Sequence, residues 1–123
     1  MNNKIDYETN RDIKFSHLQK IDITQMVEDG KDKRFNQALT IVNDSVIRMA
    51  VAEGEYHWHK HTNDDEFFYV VEGQFFIDLE DRTIELNPNQ GATISKGIMH
   101  RTRAPKKTVI LMVETSAIQP TGD

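Results

Sequence analysis

From Phe35 onward, short runs of apolar and β-branched residues alternate with turn residues. The pattern predicts strands at 35–42, 45–53, 55–61, 66–72, 74–80, 82–86, 92–96, 99–104 and 107–115. The breaks fall at Asn43-Asp44, Gly54, Thr62-Asn63-Asp64, Gly73, Asp81, Asn87-Pro88-Asn89, Gly97 and Pro105-Lys106. Gly and Asn tolerate positive φ, and Pro presets φ, so each break can turn the chain. No long amphipathic helix interrupts the series. Many short strands with tight turns imply an all-β sandwich or barrel. Upstream the pattern weakens. Residues 1–20 carry few apolar positions and read as a polar, partly mobile N-terminal extension. Residues Ile21 to Glu28 fit either a short helix or an edge strand, and Gly30-Lys31-Asp32-Lys33 reads as a turn. Residues 21–123 then make one β-barrel domain.

Composition narrows this picture. A chain of 123 residues has room for one domain, and 37% hydrophobic with 28% charged residues fits a folded protein. A net charge of −5 disfavours nucleic acid as a partner, because phosphate binding needs a basic surface. No apolar run reaches the roughly 18 residues of a membrane span, and MNNKIDYETNRDIKF lacks the apolar centre of a signal peptide. With no cysteine, any metal must be held by nitrogen and oxygen. These features fit a cytoplasmic protein that binds neither nucleic acid nor membrane.

The candidate chemistry lies in Gly54-Glu55-Tyr56-His57-Trp58-His59-Lys60-His61. On a strand, alternate residues share a face, so His57, His59 and His61 point the same way. A hairpin through Thr62-Asn63-Asp64 brings Glu66 beside them. His100 follows much later, after Gly97, in a strand of its own. Three imidazoles and a carboxylate on neighbouring strands can cage a divalent metal. A lone histidine is usually a surface or satisfied core residue, and His17 is read that way. Three on one face are harder to dismiss, since burying them without a partner costs several kcal/mol.

The same residues carry a family resemblance. Gly54-x4-His59-x-His61-x4-Glu66-x6-Gly73 resembles the first cupin motif, in which two histidines and a glutamate bind metal and a glycine closes the hairpin. Ser95-Lys96-Gly97-Ile98-Met99-His100 resembles the second motif, which supplies the last histidine. The stretch from Trp58 to Phe67 is similar to small single-domain cupins, some of them labelled mannose-6-phosphate isomerase-like. The resemblance covers about residues 45 to 115. It implies a double-stranded β-helix (jelly-roll) barrel and one divalent ion (Mn, Fe, Ni, Co or Zn) on His59, His61, Glu66 and His100. There are departures. Four residues rather than the usual five separate Gly54 from His59. Asn89 stands for the glycine that usually opens the second motif, Ser95 for its proline, and Ala104 for an asparagine beyond the last histidine. None removes a ligand, and Asn tolerates positive φ.

Four ligands on an octahedral ion leave two positions for water or substrate, whereas on a tetrahedral ion they fill its shell. The resemblance favours the octahedral case. A metal-dependent enzyme of isomerase, epimerase or oxygenase type follows, acting on a small polar molecule such as a sugar or sugar acid. The alternative is a non-catalytic, metal-dependent binding module. His57, on the pocket side of the first ligand, is a candidate general acid or base, or a histidine that only supports its neighbours. The outward stripe Phe67, Tyr69 and Val71 needs cover from the N-terminal segment or a second subunit. With the habit of similar proteins, it implies a homodimer.

Overall fold

The alternating runs become strands in the computed structural model, which describes residues 7–118 and 122. In chain order they are β1 (Tyr7–Asn10), β2 (Arg34–Val42), β3 (Ser45–Glu55), β4 (Glu66–Glu72), β5 (Phe75–Leu79), β6 (Thr83–Leu86), β7 (Gly91–Ile94) and β8 (His100–Thr115), with one helix, α1 (Ile23–Asp29), between β1 and β2. The hydrogen-bonded order is β1-β2-β3-β8-β4-β7, with β5 added to β8 and β6 to β5. All pairings are antiparallel except β1 with β2.

The long β8 turns this sheet into two layers. Its first residues, His100 to Arg103, pair with β5. Its later residues pair with β3 on one side and β4 on the other. The result is a folded-over jelly roll whose ladder is not closed into a ring among the described residues. Inward side chains fill the space between the layers: Ala50, Phe68, Val70, Phe75, Ile77, Ile94, Ile110 and Met112. Alternation places them there, with Phe68 and Val70 sharing the face of Glu66.

The opposite faces of β2, β3 and β8 carry Leu39, Met49, Val51 and Val109, all buried. Phe15, Ile21, Ile23, Met26 and Val27 cover them. Ile23, Met26 and Val27 lie at helical spacing on one face of α1. Asp22 caps that helix by accepting from the Gln25 backbone N–H at 3.0 Å. The choice between helix and edge strand at Ile21 to Glu28 is thus settled as helix by its tertiary partners.

Three expectations need correction. The N-terminal extension is not simply mobile where it is described: β1 pairs with β2, and the Phe15 N–H donates to the Leu39 carbonyl at 2.9 Å. Residues 1–6 lie outside the described residues. Strands at 99–104 and 107–115 are one strand. Exposed Pro105 and Lys106 sit where the β3–β8 register shifts, between Ala52 and Gly54, so the proline interrupts no needed ladder bond. Finally, 55–61 is not a strand. Gly54, at φ 97°, takes up the bulge, β3 ends at Glu55, and beyond it the Tyr56 N–H donates to the Thr102 carbonyl at 2.9 Å and an isolated bridge joins His59 to His100.

Candidate metal centre

His59 and His61 lie in the loop after β3, Glu66 opens β4, and His100 opens β8. Backbone bonds fix this loop where side-chain alternation alone would not. His59 and His100 exchange N–H···O bonds of 2.9 Å in both directions. The Gly97 N–H donates to the His61 carbonyl at 2.8 Å, and the Lys96 N–H donates to the Asp65 carboxylate at 2.9 Å. Gly97, at φ 81°, lets the chain turn toward the loop.

These contacts bring one ligand atom from each of His59, His61, Glu66 and His100 within 4.8 Å of all the others. All four side chains are buried, at 9%, 3%, 6% and 1% exposure respectively. Nδ1 of His59 faces the His57 carbonyl at 3.0 Å, and Nδ1 of His100 faces the Ile98 carbonyl at 2.9 Å. A carbonyl only accepts, so each Nδ1 carries the proton and each Nε2 keeps its lone pair for a metal. Glu66 Oε1 stands 3.4 Å from His61 Nε2 and 3.8 Å from His100 Nε2. Those spacings suit neighbouring ligands on one ion, which at about 2.1 Å from the metal stand roughly 3–4 Å apart. Glu66 Oε1 and His100 Nε2 are buried and make no hydrogen bond, a cost of about 1–3 kcal/mol per group unless a partner arrives. The residues therefore fit a divalent ion.

The electrostatics agree. Burial lowers the His59 pKa and keeps its imidazole neutral, as a ligand must be. Burial pushes Glu66 up, but the nearby nitrogens of His100 and His61 outweigh it and hold the carboxyl well below its usual range. Its cross-strand partner Glu114 is driven the other way, by burial and by the Glu66 charge.

Glu114 belongs to a second set of residues that motif reading missed. Its Oε1 meets Arg48 Nε at 2.6 Å, both side chains being 3% exposed. Asn36, paired with Ala50 of β3, continues the row on β2 and faces the Tyr7 hydroxyl. A polar row thus crosses the inner face from Glu66 through Glu114 and Arg48 to Asn36. A signal was present in the sequence: Glu114 shares parity with inward Ile110 and Met112, and Arg48 with Val46 and Ala50.

A cavity of about 650 Å³ opens onto His59 and Glu66. Phe68, Phe75, Ile110 and Met112 give it an apolar wall, and Asn36, Glu114, Tyr56 and His57 give it polar groups. His57 is exposed beside the cluster, its ring centroid 5.2 Å from that of His59, and is not among the grouped ligand atoms. Tyr56 meets the His59 ring edge-on at 5.4 Å. His17 is a surface residue, with Nε2 2.9 Å from the Ile41 carbonyl.

On the other face of β8 lies a clasp. Asp78 accepts from Arg101 at 2.9 and 3.1 Å, from Arg103 at 2.8 and 3.0 Å, and from the Thr83 hydroxyl at 2.8 Å. Arg101 also reaches Glu55 at 2.8 Å and stacks on Trp58 of the histidine loop, 5.3 Å from the ring centroid.

The family profile described as a cupin domain matches residues 45–114. The uncharacterized protein YdbB of Bacillus subtilis (strain 168) is 43% identical over 90 residues, covering 72% of this chain and 80% of its own. A cupin-2 domain protein from Shewanella frigidimarina superposes with a TM-score of 0.73 at 27% identity, over 77% of this chain and 93% of its own. Protein NMB1881 of Neisseria meningitidis gives 0.70 at 20% identity, over 79% of this chain and 99% of its own, a likeness of fold.

Proposed function

The chain belongs to the cupin domain family, and we propose that it is a metal-dependent enzyme holding one divalent ion on His59, His61, Glu66 and His100. The observation that carries this reading is the convergence of four buried ligand atoms within 4.8 Å at the wall of a cavity of about 650 Å³. Such a volume suits one small substrate. Mixed imidazole and carboxylate ligands suit Mn, Fe, Co, Ni or Zn. When bound, the ion supplies Lewis acidity, or a site for water or dioxygen.

This chain's residues supply the rest. The cavity walls exclude bulk water from one side of the cluster, and His57 at its edge can move a proton to or from substrate. Isomerisation, epimerisation or oxygenation of a sugar-sized molecule fits these parts, and a sugar acid would set its carboxylate toward the ligands. A mannose-6-phosphate isomerase-like activity rests on resemblance alone. The second reading is a binding module without turnover, favoured by the exposure of His57. A homodimer is part of the proposal, because Val113 is 36% exposed beside half-buried Ile47 and Phe67 on the outer face. Location in the cytoplasm, away from membranes and nucleic acid, belongs to the same reading, and among the described residues no helix is long and apolar enough to cross a membrane.

The deciding experiment is elemental mass spectrometry on untagged protein, followed by turnover assays on sugars, sugar phosphates and keto acids with and without chelator. One equivalent of metal in the wild type and little in His59→Ala/His61→Ala is expected, with chelator-sensitive turnover. Equal metal in both proteins ends the metal reading. A His57→Phe variant with full activity and retained metal ends the acid–base role of His57. A monomer by light scattering at micromolar concentration ends the dimer.

A further inference from the structure

The cavity's charges are already paired, and this selects the ligand. Among the described residues, the lysine and arginine side chains on its wall are Arg34 and Arg103. Arg34 Nη2 lies 2.6 Å from Glu53 Oε1. Arg103 holds Asp78 at 2.8 Å and stacks over Phe76 at 4.5 Å. The third arginine nearby, Arg48, is locked to Glu114 at 2.6 Å. A phosphate needs cationic donors that are free to reach it; Arg34 and Arg103 are engaged by carboxylates, and Arg48, whose Nη1 is buried without a hydrogen bond, does not line the cavity. The cavity interior instead offers the Glu66 carboxylate, which repels an anion, and the Glu114 carboxyl, on which burial and the Glu66 charge favour a proton.

Besides Glu66 Oε1 at the cluster, one buried polar atom on this wall lacks a partner among the described residues. Asn36 is 8% exposed, and its Oδ1 makes no hydrogen bond. An amide oxygen is an acceptor, so it calls for an O–H or N–H donor. Another part of the wall is apolar, with Phe68, Phe75, Ile110 and Met112 presenting carbon. That surface suits a ring or a short aliphatic body better than a polyol hydroxylated all round.

We propose that the cavity binds a two-ended small molecule, with an oxygen ligand at the histidine cluster, an apolar ring-sized body against Phe68 and Met112, and an uncharged hydroxyl donating to Asn36. Phosphate esters are excluded. If the ester's phosphate took the metal end instead, its other oxyanion would face Asn36 Oδ1, which only accepts. The oxygen-ligand end rests on the metal reading above, and the Asn36 end does not.

The test is calorimetric titration of the full chain with 4-hydroxybenzoate, benzoate and 4-carboxyphenyl phosphate. It is run on zinc-loaded protein of measured metal content and, in parallel, on chelator-treated protein. The hydroxylated probe should bind at least tenfold more tightly than the other two. Asn36→Leu should bring it down to the benzoate value while leaving benzoate and metal content unchanged. Asn36→Ser, which keeps a shorter acceptor, should retain part of the preference. Circular dichroism melts confirm folding, and Asn36→Ser decides if Asn36→Leu does not fold. Equal or tighter binding of the phosphate ester overturns the proposal. So does a hydroxyl preference that survives Asn36→Leu, or no binding of any probe at millimolar concentration. Failure of the metal reading shows separately, as absent zinc; the hydroxyl preference on chelator-treated protein then still decides the Asn36 end.

Discussion

His100 and Arg101 are neighbours on β8, yet they serve two polar groups that settle their charges in opposite ways. Inward, His100 joins His59, His61 and Glu66, and its Nε2 and the Glu66 Oε1 are buried without hydrogen bonds. Outward, Arg101 joins Arg103, Thr83 and Asp78, where five hydrogen bonds converge on one carboxylate. The inner group is more deeply buried and less satisfied, which costs stability in the metal-free chain. The outer group is complete in itself. Incomplete polar satisfaction marks the group with room for a ligand, and complete satisfaction marks the part that holds the chain in place.

The largest effect should come from breaking the inner group. Glu66→Gln removes the one anionic ligand, and metal affinity should fall by more than about 100-fold, since even residues that only support ligands are worth 10–100-fold. At a metal concentration of about 100 Kd, the wild type should gain roughly 2.7 kcal/mol of stability. The variant should gain almost none. Chelator competition and melts with and without metal read both. The outer group should answer differently. Asp78→Ala leaves two arginines without their shared acceptor, and because both are about a third exposed the loss should be roughly 1–2 kcal/mol. Urea unfolding of the metal-free protein measures it. Metal content should stay near one equivalent. If Asp78→Ala strips metal as thoroughly as Glu66→Gln, the two groups are one unit and the contrast is wrong.

The clustering of the four inner residues was legible because they come in a compact local pattern. His59, His61 and Glu66 follow within a few residues, and His100 sits after a turn glycine. The order of strands and the inward face of β4 were also legible, since alternation is a local signal. The polar row from Glu114 to Asn36 was not, because its neighbours are set by long-range pairing of β2, β3, β8 and β4. The same holds for β1, whose parallel partner lies beyond α1. The strand expected at 55–61 failed for a related reason: alternate histidines mimic a strand period, while the backbone answers to the single bridge at His100. The break expected at Pro105 failed because a bulge can hide a proline.

Acid separates the two groups by a smaller amount. The His59 pKa is depressed by burial, so below 6.5 the unfolded chain takes up a proton that the folded chain refuses. Unfolding is then favoured as pH falls. Glu114, raised by burial, binds a proton on folding and opposes this slope above 4.5. A difference measurement isolates the histidine. Relative to His59→Gln, metal-free wild type should lose stability on going from pH 7 to 5, by at most about 1.4 kcal/mol per pH unit. Asp78 is held well below its usual range by Arg103. Its contribution is fully present above 3.8 and lost only as pH falls through the folded value. The difference between wild type and Asp78→Asn should therefore be flat over the same range. A slope there, or none for His59, reverses the assignment.

The smallest effect probes the link between the groups. Trp58 lies one residue before His59, is 44% exposed, and carries the Arg101 guanidinium on its ring. A cation–π contact at so exposed a position is worth about 0.5–1 kcal/mol. Trp58→Ala should therefore cost the metal-free fold less than 1 kcal/mol by that measure, well under the loss in Asp78→Ala. Its consequence for the metal should be kinetic. The loop from His57 to His61 is held by the His59–His100 bridge on one side and by Arg101 on the other, so losing one restraint lets the loop open more often. Metal release to excess chelator should speed up several-fold, while Trp58→Phe, which keeps a ring under the guanidinium, stays near wild type. Unchanged release in Trp58→Ala would mean that the backbone bonds to His100 and Gly97 hold the ligands without help from Arg101. The outer clasp would then be a feature of β5 and β8 with no bearing on the inner site.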